Sequence, residues 1–360
     1  GDCMKDYPLT MTKNYVANWS VEDAVREIVQ NAIPAGDAEY SVNFEEGSVT
    51  VFSPEVKLHQ SVLLLGSGTK TGDDTQLGGH SEGMKVALLV LSRNNIKVSI
   101  ENHDILWEPV FKEDISFGCE MLFIQETDIQ EPVGGLKFTL TGFTKTELQN
   151  IISRNLPIQD YLGIGYGKVT ETRYGRILHD KAGYVYVGGL YVCIDGTLQY
   201  GYDFKPEYLP LNRDRQTVPN WELKTTTARM WAEAVSTQEF VKMIVDKVSD
   251  IDYTKYCHEV KRNVSEEALK VFKETYGDVP VASSIDSQRD MKRRGFTNTI
   301  VLGNDVFTDL VRSAPSYEEV ACEEVKSVKD IIEEMFYKYE TKEEFYGHIM
   351  EEAENWEIVN

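Results

Sequence analysis

The chain has 360 residues, of which 41% are hydrophobic, 27% charged and 11% aromatic, and its formal net charge is −22. Such a length suffices for two or three domains with real cores, and the spread of Tyr and Phe along the chain excludes a low-complexity or disordered polymer. The acidity disfavours non-specific nucleic-acid binding, because the phosphate backbone would be repelled. Five cysteines, widely spaced and without a CxxC pair, point to neither a disulfide framework nor a zinc site, so a reducing cytoplasm is expected. The longest apolar run, around Val86 to Leu91, is too short for a membrane span, and no secretion signal is expected at the start.

The first strong element is Ser20 to Ala32, where Val21, Ala24, Val25, Ile28, Val29 and Ala32 recur at helical spacing behind a Ser20/Asp23 capping box. Pro34 and Gly36 end it. Alternation over Tyr40–Phe44, the Glu46-Gly47 turn and Ser48–Phe52 predict a β-hairpin. A stretch rich in Gly, Ser, Thr and Asp, Leu63 to Gly83, opens into an apolar helix, Met84 to Ser92. Strands are predicted at Lys97–Glu101, Met121–Gln125 and Leu136–Thr141, so the first domain reads as an α/β sandwich with a mainly antiparallel sheet.

Beyond Thr144 a helix (Lys145–Arg154) leads to strands at Arg176–Leu178, Tyr184–Val187 and Leu190–Ile194, then to a Pro-interrupted stretch, Lys205 to Pro219. Helices follow at Glu222–Ala234, Gln238–Val248 and Ser265–Tyr276. Val279–Ala282, Ser287–Arg294 and Thr299–Leu302 form a βαβ-like piece, and the acidic tail from Tyr317 reads as helical, with its Val325, Val328, Ile331, Ile332 and Met335 stripe assigned to core packing. The fold class is therefore α+β, divided as a first domain over 1–145, a second over 146–235 and an α/β and helical region over 236–360.

Two constellations carry chemistry. Glu27 and Asn31, four apart in REIVQNAIPA, share one helix face. A carboxylate there can orient a water as general base, while an amide oxygen one turn away can bind a divalent cation that bridges phosphates. In LGGHSEGMKVALLVLS, Gly78, Gly79 and Gly83 precede a helix whose first amides and positive dipole end suit an anion, with Lys85 one turn in. The pattern is neither a Walker A loop nor a Rossmann fingerprint. His80, the Cys257-His258 pair and the Lys292-Arg293-Arg294 cluster carry weaker signals, read first as solvated loop, coincidence and exposed helix end.

These segments resemble, in the right order, the N-box, Gly-rich lid and GxxGxG helix start of the GHKL ATPases, the superfamily of gyrase, MutL, histidine kinases and a heat-shock chaperone. The likeness covers residues 15–145 well and 175–220 moderately. It implies a Bergerat-fold ATP-binding domain in which Glu27 activates water and Asn31 holds magnesium. Residues 66–83 would form the lid, with Gly66, Gly68, Thr69, Gly78, Gly79, His80, Ser81, Glu82, Gly83, Met84 and Lys85 at the nucleotide. GGLKFTL, from Gly134, resembles the strand behind the adenine. YLPLNRDRQTV resembles a middle-domain segment whose arginine reaches the γ-phosphate, which would be Arg215, with Asn212 and Gln216 shaping the loop and Arg213 as an extra cation.

The chain departs from that pattern at Ser53, which stands where the adenine-reading aspartate is expected, at Pro34 in the N-box, and at Ser81 and Glu82 in the final glycine motif. GHSEGMK with LNRDR also looks like phage rIIA-type proteins, which would imply a host-takeover or anti-defence role in the host cytoplasm. Two functions follow: a Mg-ATP-binding protein with slow hydrolysis driving conformational change, or a non-catalytic module of the same fold, acidic and DNA-mimic-like, that sequesters a protein partner or nucleotide. A nucleotide-dependent homodimer is the assembly the resemblance implies. No phospho-acceptor histidine helix precedes the N-box, which disfavours a histidine kinase.

Overall fold

The computed structural model describes residues 4–64, 81–209, 211, 218–296, 298–319, 343, 344, 346 and 347. The chain divides into two compact units, residues 1–218 and 219–360, both of mixed α and β structure.

The first unit contains a seven-stranded sheet in the order β1-β6-β5-β4-β7-β3-β2, with every described pairing antiparallel. Its strands are β1 (Lys5–Thr12), β2 (Glu39–Asn43), β3 (Ser48–Pro54), β4 (Lys97–Asn102), β5 (Ile105–Asp114), β6 (Cys119–Asp128) and β7 (Gly135–Thr141). The expected hairpin is present as β2 and β3, paired from Glu39↔Phe52 to Asn43↔Ser48. Central β3 then pairs β7 on its other side, setting Ser53 opposite Leu136. Two strands were not expected. Pro8 interrupts β1 as a donor, which an edge strand tolerates, and the strand buries only Leu9 and Met11. β5 lacks clean alternation, yet its hairpin with β6 is closed by Asp114, whose Oδ1 accepts the amides of Ser116 and Phe117 at 2.8 and 3.2 Å.

Helices α1 (Val21–Ala32), α2 (Ser81–Arg93) and α3 (Lys145–Arg154) belong to the same core. The Ser20 capping box forms: Ser20 Oγ accepts the Asp23 amide at 3.2 Å, and Asp23 Oδ2 accepts the Ser20 amide at 2.9 Å. Ala24, Val25, Ile28 and Val29 of α1 and Ala87, Leu88, Leu89 and Leu91 of α2 are buried, since both helices face the sheet over an apolar stripe. Arg93 closes α2 by donating to the carbonyls of Lys13, Tyr15, Val16 and Trp19, holding the loop that leads into α1.

A short helix, α4 (Leu156–Leu162), unforeseen because Pro157 stands in it, enters on proline and ends on Gly163 at φ 69. A five-stranded sheet follows in the order β11-β10-β12-β9-β8, made of β8 (Val169–Thr172), β9 (Gly175–Leu178), β10 (Tyr184–Val187), β11 (Leu190–Ile194) and β12 (Gly201–Phe204). Its β10–β12 pair is parallel and the rest are antiparallel. Arg26 of α1, 6% exposed, donates to the carbonyl of Tyr191 in β11 at 3.1 Å, so one helix is attached to both sheets.

The second unit contains helices α5 (Asn220–Ala234), α6 (Thr237–Val245), α7 (His258–Tyr276), α8 (Ile285–Arg293) and α9 (Asp305–Ser313). The expected βαβ piece forms, with β13 (Val281–Ala282) parallel to β14 (Ile300–Val301) and α8 between them in sequence. The apolar tail stripe from Val325 to Met335 lies outside the described residues.

Candidate functional site

A recess opens between α1, β3, β7 and the segment 56–62. Its apolar walls include Ile28, Val51, Val56, Leu58, Leu136 and Phe138, and Asn31, Ser53 and Met84 complete it. The recess encloses about 470 Å³ counting its open mouth, over a cavity of about 30 Å³. The cavity admits about two waters, so a ring system entering it must part the walls.

Each polar group in this recess is placed by a local cause. Asn31 follows Glu27 by one turn of α1, and its Oδ1 is buried without a hydrogen-bond partner. An orphan acceptor of that kind costs about 1–3 kcal/mol unless something supplies a donor or a cation. Ser53, 4% exposed, comes from the last turn of the pleat in β3. Met84 enters from the first turn of α2.

Glu27, 5% exposed, does not line the recess but packs against the start of α2. A Cβ added to Gly83 would fall inside contact of Glu27 Oε1 and only 2.6 Å from its Cδ, so only glycine leaves room for the carboxylate there. Two residues 56 positions apart, Glu27 and Gly83, are thereby brought together. Lys85 behaves differently from the sequence expectation of a phosphate contact. It is 1% exposed, its Nζ donates to the carbonyl of Leu64, and burial pulls its pKa below the usual lysine value, against the opposing pull of Glu82. Glu82 itself is exposed, and of Ser81 only its place in α2 is described.

The remaining expected contacts, Gly66, Gly68, Thr69, Gly78, Gly79 and His80, and the loop of Asn212, Arg213, Arg215 and Gln216, lie outside the described residues. Among the described residues no group of three or more His, Cys, Asp or Glu side chains is placed to hold a metal ion. Within the same limits no helix is long and apolar enough to cross a membrane.

One residue that fixes the recess escaped the sequence reading. Asn102, at the end of β4 and 1% exposed, accepts the Leu58 amide at 3.0 Å and donates to the Leu58 carbonyl at 2.9 Å. Its side-chain amide thus pairs with a backbone unit as a neighbouring strand would. His103 adds a ring nitrogen 3.0 Å from the Val56 carbonyl. Together they hold the 56–58 wall. A buried-looking Asn closing an apolar alternation, Val98–Ile100–Asn102, was the available signal.

No family model matches the chain. It is similar to a protein of Mycoplasma pneumoniae (strain ATCC 29342 / M129 / Subtype 1), 23% identical over 223 residues, which cover 57% of this chain and 88% of that protein. That protein is described only as uncharacterized, so the likeness brings no activity with it.

Proposed function

We propose that the first unit is a GHKL-type nucleotide-binding domain that takes Mg-ATP and hydrolyses it slowly. The observation that carries this reading is the meeting of the N-box helix with the glycine at the start of α2: Glu27 lies on Gly83, and the unpartnered Oδ1 of Asn31 borders an apolar recess that also contains Ser53. Apolar walls with a few convergent polar groups suit a base and its sugar. The Asn31 oxygen fits a magnesium ligand, since it is an acceptor lacking a donor, and the cation, when bound, would supply charge that screens the phosphates. On this reading Glu27, buried against the start of α2, would orient a water and take its proton. The amides at the start of α2 offer donors to the phosphates, and Lys85 supports the approach to the lid through Leu64. By the resemblance Arg215, outside the described residues, would sense the γ-phosphate, with domain movement as the output.

The test is calorimetry on the full chain with ATP, ADP, GTP and a non-hydrolysable ATP analogue in magnesium, followed by turnover of Glu27→Ala. Binding of the analogue with turnover lost in the variant supports the reading; turnover equal to that of the unaltered chain removes Glu27 from the reaction.

A second reading is favoured by two observations, the hydroxyl of Ser53 in place of a carboxylate and the tight floor of the recess. On it the unit is a non-catalytic module of the same fold that sequesters a protein partner. Absence of heat with every nucleotide would select it.

A further inference from the structure

The loop from α4 to β8 reads Gly163-Ile164-Gly165-Tyr166-Gly167-Lys168, and it borders a second cavity, a wide-open surface hollow of about 450 Å³, with α3 and the β9–β10 turn. This cavity is separate from the recess of Asn31 and shares none of its lining. Among the described residues the amides of Gly165, Tyr166 and Gly167 have no hydrogen-bond acceptor.

The loop is built, not merely glycine-rich. Tyr166 is fixed at its hydroxyl, which donates to Asp160 Oδ1 at 2.7 Å and accepts from Arg176 Nη1 at 2.7 Å. Arg176 is itself committed to Asp203, at 3.1 and 2.8 Å. Gly167 sits at φ +83 with Asp180 against it; a Cβ there would come within 2.7 Å of Asp180 Cγ, so a side chain would be strained and would displace Asp180. Asp180, the acidic side chain of the lining, spends Oδ2 on the Lys168 amide at 3.0 Å.

Lys181 is the cation that remains. Its ammonium stands 5.8, 5.4 and 5.8 Å from the ring centres of Tyr166, Tyr184 and Tyr186, which hold it in place by cation–π attraction. Among the described residues its ammonium has no hydrogen-bond or ion-pair partner, although the chain carries 59 acidic against 37 basic residues. Burial lowers its pKa.

We propose that this cavity is a binding site for a phosphate group carried by a small molecule, held by the 165–167 amides and by the Lys181 ammonium. Successive amides in a glycine loop form a concavity that suits a tetrahedral anion. Lysine acts as a point charge toward phosphate, and the nearby Arg176 is engaged with Asp203. The site does not depend on the nucleotide reading of the Asn31 recess.

The experiment is titration of the full ¹⁵N-labelled chain with inorganic phosphate, followed at the amides of residues 165–167, with acetate and phosphoethanolamine as separate arms. Phosphate is expected to shift those three amides saturably below about 50 mM, phosphoethanolamine to do the same, and acetate to bind at least about tenfold more weakly. Lys181→Gln is expected to weaken phosphate about tenfold or more, with Lys181→Arg recovering part of it. Glu27→Ala should leave the shifts unchanged, which separates this site from the other. Absence of saturable shifts in the unaltered chain, equal shifts with acetate, or a folded Lys181→Gln chain that binds phosphate undiminished would each overturn the proposal.

Discussion

Replacing Gly83 by alanine tests the contact that joins the two halves of the candidate site. The new Cβ would lie 2.6 Å from Glu27 Cδ, so the carboxylate must turn away from a position in which it is 5% exposed. Overpacking of this kind costs about 1–3 kcal/mol. Alanine in place of glycine in a helix returns about 1 kcal/mol, so the net loss is about 0–2 kcal/mol. Alone, that figure is too small to be decisive. The cycle with Glu27→Ala makes it so: once the carboxylate is gone, Gly83→Ala should be neutral or stabilising by up to about 1 kcal/mol, giving a coupling of about 1–3 kcal/mol. Native-state hydrogen exchange at the core amides of β3 and β7 reads the stability of this unit without requiring the whole chain to unfold in one step. If Gly83→Ala stabilises equally in both backgrounds, Glu27 does not lie on Gly83, and the case for a shared phosphate end fails with it.

Three further outcomes are expected. Asn102→Ala removes both hydrogen bonds to Leu58 and leaves a buried backbone unit unpaired, a loss of about 2–4 kcal/mol, with faster exchange of the Leu58 amide as its signature. Ser53→Asp should raise adenine-nucleotide affinity about tenfold to a hundredfold by calorimetry, the value of a charge-assisted bond in a buried site; no gain would show that the ring does not approach residue 53. Tyr40 is 6% exposed, and burial pushes its pKa from 10.0 to about 12. Between those values the unfolded chain has lost the proton that the folded chain retains, so stability falls as pH rises, by about 2–3 kcal/mol in total. Tyr40→Phe should abolish that part of the alkaline loss, measured by urea unfolding across the same range.

Local rules made much of the architecture legible. The Ser20/Asp23 box, the β2–β3 hairpin around Gly47 and the apolar run of α2 are short-range patterns, and each has the expected form. β1 and β5 were hidden because one holds a proline at an edge and the other mixes half-buried polar and apolar residues. At the site, spacing put Glu27 and Asn31 one turn apart on α1, but it did not show that Asn31 alone of the two borders the recess, nor which residues stand beside them. Asn102 reaches Leu58 across 44 positions, and nothing in either segment announces the other. Lys85 shows the opposite difficulty: a cation after a glycine run suggests an anion, while the long aliphatic stem in an apolar helix is buried and its amine finds a carbonyl.

The double attachment of α1 has a mechanical consequence. Its Ile28, Asn31 and Ala32 side forms a wall of the recess, and its Arg26 side is tethered to Tyr191 in the smaller sheet. A guest that wedged the first side outward would press on a helix whose opposite side is hydrogen-bonded to β11. A push at one flank would then be felt, through the guanidinium, in a different layer of the protein.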